Sequence, residues 1–337
     1  MNDHLVIFVD GFPYELAEKM DSFRKFSYRA ALKTGIGYSI NIHAEIFAGL
    51  PADRVGFFNT WKFEPAHSPF RRLKGMKNFL RKTEDNRYLN RIFRSMVKFV
   101  CGTDSLNIPY KAIDMFAPCG HLIDAADFPA PKITPDRSFS ELDTAAHRFG
   151  LDSGEYNDCI KRLDARIGGM FDEFRSVHPK GHIAVLSDHG MARVRKAVKF
   201  GPEEDLPEET MGKFIYFLDT TMIRIWYLDP AVRGRVESYL NGKDCGKLLT
   251  EEERRDLGII DRRWADNIFL LNEGCVFDPS FLEKGHPLAM HGYHPDLPSQ
   301  KGIFLYSGPR AISIQGTIDT KTCHDLLKGI IFGKDEF

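Results

Sequence analysis

Short uninterrupted apolar runs alternate along much of the chain with longer stretches in which an apolar residue returns every three or four positions. Leu5 to Val9 is one such run, closed by Asp10-Gly11, and Ile183 to Leu186 is another, closed by Ser187-Asp188-His189-Gly190. Runs this short and this uniformly apolar predict strands buried on both faces of a sheet. Before the second run, Ile160, Leu163, Ile167, Met170, Phe171 and Phe174 fall on one stripe. They predict an amphipathic helix over 154–178 that leads back to the strand at 183–187. A helix returning to a strand in this way is the building unit of an α/β sheet.

Within 35–50, the glycines Gly35 and Gly37 break a preceding helical segment. Ser39 is a good cap for a new helix, Ile42, Ile46 and Phe47 continue it, and Gly49 ends it. After Met191 the pattern changes. Phe214 to Leu218, Met222 to Tyr227 and Asn267 to Leu271 read as strands, Pro230 to Leu240 reads as a helix, and 251–263 is strongly charged. The strand Gly302 to Tyr306 and a helix around Thr320 to Ile331 close the chain. The expected organisation is an α/β core over 1–195, carrying a basic helical insertion around 60–130. An α+β cap over 196–288 follows, and the core finishes over 289–337.

The region 60–130 is the least legible. Between Arg71 and Lys98, ten Lys or Arg face only Glu84 and Asp85, with Met76, Phe79, Leu89, Ile92, Phe93 and Met96 interleaved at near-helical spacing. Two readings fit: a basic amphipathic surface for an anionic lipid or polyanion, and a solvated helix pair lying over the core. The second is preferred on sequence alone.

Composition narrows the classes. In 337 residues, 46 Lys and Arg balance 47 Asp and Glu for a net charge of −1, so no overall field favours nucleic acid. No apolar run approaches the roughly 20 residues of a membrane span, and the acidic start before Leu5 is unlike a signal peptide. The six cysteines show no C-x-x-C pairing, which fits a reducing compartment and leads to the expectation of a cytoplasmic protein.

Several positions carry ligand or nucleophile chemistry. Asp10 and the pair Asp188-His189 end buried strands, the edge at which α/β sheets build sites. Asp143 and His147, four residues apart, share a helix face or converge from a tight turn, which presents one oxygen and one nitrogen to a metal. Ser39 is either a plain N-cap or a nucleophile set against free backbone N–H groups. Each taken alone also reads as a cap or a core polar residue.

The ordered set is strand-Asp10-Gly, Ser39 at a helix start, Asp143-x-x-x-His147-x-x-Gly150, strand-Asp188-His189-Gly, and His291-Gly-Tyr. It resembles the type I phosphodiesterase/nucleotide pyrophosphatase family of the alkaline phosphatase superfamily, over nearly the whole chain apart from 60–130. The resemblance implies an alkaline-phosphatase-like three-layer α/β/α sandwich with a mostly parallel central sheet and a smaller α+β insertion. It also implies two divalent metal ions, most readily zinc, with manganese or iron as alternatives. One metal would be held by Asp10, Ser39, Asp188 and His189, and the other by Asp143, His147 and His291. Ser39 would then attack phosphorus and form a phosphoryl-Ser39 intermediate. Asn59 is the nearest match, one residue short in spacing, to the family's phosphate-holding Asn.

Ile40 follows Ser39 where monoester phosphatases of the superfamily place an Arg, and no C/S-x-P-x-R sulfatase motif is present. A small phosphodiester or pyrophosphate is therefore the expected substrate: a nucleotide, a nucleotide-sugar or a lipid head group. The family's usual Thr is replaced by Ser39, Ala146 stands where a Gly precedes the His, and His294 replaces the Asp or Asn after H-G-Y/F. Thr220, Thr221 and Arg224 are candidate substrate contacts. His43 has no metal partner in the family pattern and is read as structural. Two alternatives accompany the hydrolase: a phosphotransferase or mutase using the same phospho-Ser39, and a non-catalytic, metal-stabilised protein binding an anionic lipid or glycan. The sequence does not fix an oligomeric state.

Overall fold

Strand β1 (His4–Val9) and strand β4 (His182–Leu186) are formed by the two apolar runs that end in Asp10 and in Ser187-Asp188-His189. The computed structural model of the protein describes residues 3–119, 133–283 and 285–333. The chain divides into two compact units: Met1–Phe57, His121–Val194 and Pro287–Phe337 form the first, and Phe58–Gly120 with Arg195–His286 form the second. The stretches 60–130 and 196–288, expected as separate insertions, thus supply most of one unit.

The first unit is built on a six-stranded sheet. Besides β1 and β4 it contains β2 (Tyr28–Lys33), β3 (Arg137–Phe139), β5 (Gly302–Ser307) and β6 (Thr317–Asp319), in the spatial order β6-β2-β5-β4-β1-β3. Only β5 runs against its neighbours, pairing antiparallel with both β4 and β2, so the sheet is mostly parallel. Successive residues of β1 serve opposite faces, as the pleat requires. Ile7 and Val9 pack with Leu142 and Ala145 of α2 (Glu141–Phe149) and with Leu163 and Ile167 of α3 (Gly154–Val177). Val6 and Phe8 pack with Ile42 and Ile46 of α1 (Ser39–Ala48) and with Leu326 and Ile330 of α4 (Thr320–Phe332). Helices on both faces make the expected three-layer α/β/α sandwich.

One expected element is corrected. The segment before Gly35, read as helical, is strand β2. Its Ala-rich sequence favours a helix locally, but Ala30 and Leu32 alternate into the core and the backbone pairs with β5 and β6. Pairing across the sheet overrides propensity here.

The second unit centres on a four-stranded antiparallel sheet in the order Gly246–Leu248, Asn267–Leu271, Met222–Tyr227, Phe214–Leu218. Inside it Arg224 is fully buried. Its Nε donates to Asp219 Oδ2 (2.6 Å), its Nη1 donates to the carbonyls of Trp61 (2.6 Å) and Phe58 (3.3 Å), and its plane lies over the Phe217 ring. Thr220 and Thr221 are buried as well. A guanidinium engaged this fully is a core element, so Arg224 is not the substrate contact expected of it.

Candidate metal centre and nucleophile

The site follows from the sheet. β1 and β4 are parallel neighbours with Phe8 opposite Leu186, so Asp10 and Asp188 emerge side by side at the carboxyl ends. Two bonds tie the following loops together: Phe12 N–H donates to Ser187 Oγ (2.8 Å), and Ser187 Oγ donates to the His189 carbonyl (3.0 Å). The glycines of both turns are sterically required. Gly11 has φ +67°, and a Cβ there would stand 2.8 Å from Asp143 Cβ. A Cβ on Gly190 would meet the Ser299 carbonyl oxygen at 2.0 Å.

On the other side of β1, β3 pairs in parallel and Asp10 N–H donates to the Phe139 carbonyl (2.8 Å). Helix α2 starts just beyond, with Asp143 in its first turn and His147 one turn further, as a shared helix face requires. His291 arrives on a short antiparallel ladder in which Met290 faces Ala192, and this brings it over the Asp188-His189 loop.

Distances join the groups. Ser39 Oγ lies 3.4 Å from Asp10 Oδ1 and 3.2 Å from His189 Nε2. His189 Nε2 is 3.3 Å from both Asp10 Oδ1 and Asp188 Oδ2. Asp143 Oδ1 is 3.2 Å from His147 Nε2 and 3.9 Å from His291 Nε2. Asp10, Ser39, Asp143, His147, Asp188, His189 and His291 are therefore brought together in the first unit. Asn59 is in the second unit, where its Nδ2 donates to Asp219 Oδ1 (3.3 Å) and its backbone takes φ +54°.

The ring nitrogens are sorted by their partners. His189 Nδ1 faces the Gly190 carbonyl at 2.8 Å and His147 Nδ1 faces the Ala289 carbonyl at 2.7 Å. A carbonyl only accepts, so Nδ1 carries the hydrogen in both rings and Nε2 is turned to the site, the arrangement typical of metal-ligating imidazoles. Protonation reflects the crowding. Burial would push Asp188 up, but His189 and the hydrogen bonds from His43 and the Gly11 N–H overcome it and hold it low. Burial opposes protonation of His189, yet Asp188 and Asp10 raise it to about 10. Asp10 itself is raised by burial and by Asp188. Burial, His189 and His147 press His291 well below its ordinary value.

These residues fit divalent cations on the structure's own evidence. Asp143 Oδ1 and His291 Nδ1 are buried without a hydrogen-bond partner, and three carboxylates crowd one edge beside four imidazoles. Ligand atoms within 4.8 Å of one another form two groups: Asp143, His189 and His291, and Asp10, His43 and Asp188. Such oxygen and nitrogen donor sets suit zinc, manganese or iron. Compared with the expected division, His189 stands with Asp143 and His291 while also touching Asp10, and His43 joins Asp10 and Asp188.

His43, read from the sequence as structural, stands at the site. It lies one helical turn after Ser39 on α1, and its Nε2 is 3.0 Å from Asp188 Oδ2. The i, i+4 spacing from Ser39 was the signal available. Ser39 is also corrected in one detail: it is the first helical residue, and Tyr38 occupies the cap position. Asn41 fixes this turn, accepting from Tyr38 N–H (2.9 Å) through Oδ1 and donating to the Ile36 carbonyl (2.8 Å) through Nδ2.

Residues 138–256, which carry Asp143, His147, Asp188 and His189, match the family model described as type I phosphodiesterase / nucleotide pyrophosphatase. Mouse ectonucleotide pyrophosphatase/phosphodiesterase family member 7 is 33% identical over 60 residues, which are 17% of this chain and 14% of that protein. The match thus spans a small part of the curated relative. The fold is similar to murine ectonucleotide pyrophosphatase / phosphodiesterase 5, solved as an inactive variant in complex with AMP. That likeness has a TM-score of 0.64 at 15% identity, over 98% of this chain and 95% of the other. The human protein 5 matches with the same TM-score and coverage at 17% identity. With its ordered Asp, Ser and His positions gathered at one sheet edge, the chain is similar over residues 138–256 to the type I phosphodiesterase / nucleotide pyrophosphatase family.

Proposed function

We propose that the protein is a metal-dependent hydrolase of phosphodiester or pyrophosphate bonds, with Ser39 as its nucleophile. The observation that carries this reading is the position of Ser39 Oγ, within 3.4 Å of Asp10 Oδ1 and 3.2 Å of His189 Nε2 at the start of a helix. Asp10, Asp188 and His189 with Ser39 on one side, and Asp143, His147 and His291 on the other, would hold two divalent cations, zinc being favoured. Bound there, the cations would neutralise phosphate oxygens and lower the pKa of the Ser39 hydroxyl.

The chain's own groups supply the rest. The backbone N–H groups of Ser39 and Ile40 precede the first intrahelical bond, from Asn41 to Tyr38, and so face a phosphoryl group at the helix N-terminus. Ser39 Oγ bonds to phosphorus as the bond to the leaving alcohol or phosphate breaks, and the hydroxyl proton departs with that product. Water then bonds to phosphorus, the Ser39 ester breaks, and Ser39 recovers a proton. Ile40 beside Ser39 brings no charge to offset a monoester dianion, which favours diesters. The AMP held by murine protein 5 favours nucleotide-containing substrates. Six free cysteines favour a reducing, cytoplasmic setting.

The test compares bis-p-nitrophenyl phosphate with p-nitrophenyl phosphate for zinc-loaded protein, with and without a chelator. The reading expects a preference for the diester that chelation abolishes. A preference for the monoester contradicts it.

A further inference from the structure

Helix Arg87–Cys101 in the second unit is turned the wrong way round for a core helix. Leu89, Ile92, Met96, Phe99 and Val100 recur at three- and four-residue spacing and form one apolar face. That face is exposed: Phe99 is 89% accessible, Tyr88 81% and Ile92 62%. Val97 is the helix residue that is buried. The helix is attached through its flank instead. Arg94 Nε donates to Asn90 Oδ1 (3.0 Å), Nη1 to Ser105 Oγ (3.1 Å) and Nη2 to the Ile108 carbonyl (3.1 Å), while the guanidinium lies over the Tyr110 ring. Phe79, itself 55% exposed, packs edge-on against Phe93 at 5.4 Å and widens the patch.

Basic side chains border this apolar strip on both sides. One recess of about 420 Å³ is lined by Arg87, Arg91, Arg94 and Lys98. Another of about 630 Å³ is lined by Arg71 and Arg72 beside Val100. The ten cations of 71–98 against two acids make this segment the reverse of the net-acidic remainder of the chain.

We propose that helix Arg87–Cys101 and the basic recesses beside it dock the protein onto an anionic lipid surface. Exposed aliphatic and aromatic side chains flanked by Arg and Lys suit the boundary between acyl chains and charged head groups. Charge argues against a second copy of this chain as occupant, because a two-fold symmetric contact would set basic flank against basic flank. The preferred sequence reading of a solvated helix pair is therefore set aside, because a helix lying over the core would not leave its apolar face in water. The proposal does not depend on the catalytic reading.

Co-sedimentation of the full chain with vesicles of phosphatidylcholine alone, or of phosphatidylcholine with phosphatidylserine, tests it. The protein binds the second and not the first, and binding weakens as salt rises. Ile92→Glu with Phe99→Glu, and separately Arg87→Glu with Arg91→Glu, each lower binding about tenfold or more, a change of about 1.4 kcal/mol. Their Tm stays at the wild-type value because all four side chains are exposed. If the apolar pair lowers Tm, Phe99→Ser alone supplies the same readout. Absence of vesicle binding, equal binding to both vesicle types, or binding retained by both variants overturns the proposal. So does a dimer abolished by Ile92→Glu in a protein that ignores vesicles, or capture by an acidic protein alone.

Discussion

The imidazoles of His189 and His291 lie face to face, with ring centroids 3.6 Å apart and planes 8° from parallel. Two positive rings would not stack so closely. Without a cation, Asp188 and Asp10 favour a charged His189, while burial and the neighbouring imidazoles press His291 low, so His291 is the neutral partner. A neutral buried imidazole with Nε2 toward Asp143 is ready to donate an electron pair. His291→Ala is accordingly expected to retain one metal ion per chain in place of two after dialysis, and to lose about a hundredfold or more in diester turnover. Metal analysis beside initial rates checks both.

His43 positions Asp188 and is not expected to touch substrate. Its Nε2 sits 3.0 Å from Asp188 Oδ2, and its ring stands edge-on to Phe8 at 4.6 Å. His43→Ala should weaken metal binding about 10- to 100-fold, while His43→Gln, which keeps a donor, restores much of it. Excess metal should recover the rate of His43→Ala and not that of Ser39→Ala. Loss that no metal concentration repairs would assign His43 a direct part.

Glu45, fully buried on α1, gives a pH-dependent term in stability. Burial pushes its carboxyl up to about 8, with the Asn41 amide and Gly35 N–H lowering it and Asp53 raising it. The native state therefore keeps a proton that the unfolded state loses near its ordinary value of 4.5. Stability from this group is complete below 4.5 and is lost as pH rises toward 8. Tm should fall by several degrees between pH 5 and pH 8, and Glu45→Gln should flatten that slope. Parallel melts of the two proteins decide it.

Two substitutions probe the scaffold. Gly190→Ala places a Cβ against the Ser299 and Lys301 carbonyls, at 2.0 and 2.9 Å, and should cost about 3 kcal/mol in denaturant unfolding. Asp219→Ala leaves Arg224 buried without its carboxylate partner and should cost about 3–5 kcal/mol. A near-neutral result for either would mean that its surroundings relax far more than their packing suggests.

Long periodic elements and strand-end chemistry were legible in the sequence. The helix over 154–178 and the strands near 5–9, 183–187, 214–218 and 222–227 stand within a residue or two of their observed bounds. The seven ordered site residues converge because strand ends in a parallel sheet meet at one edge. Less legible were β3 and β6, three residues each with one buried side chain, too short to carry an alternation. β2 was hidden by helix-favouring alanines, and His43 by the absence of a motif of its own. The exposed face of helix Arg87–Cys101 was beyond sequence because amphipathic spacing gives the apolar side without saying what covers it.

Ser39 is proposed as the group that attacks phosphorus. Its most direct test is turnover of bis-p-nitrophenyl phosphate by wild-type protein and Ser39→Ala, each loaded with zinc and assayed for bound metal. Comparable metal content and a loss of about a thousandfold or more in kcat are expected for the variant. Turnover by Ser39→Ala at the wild-type rate, with metal bound, would contradict it.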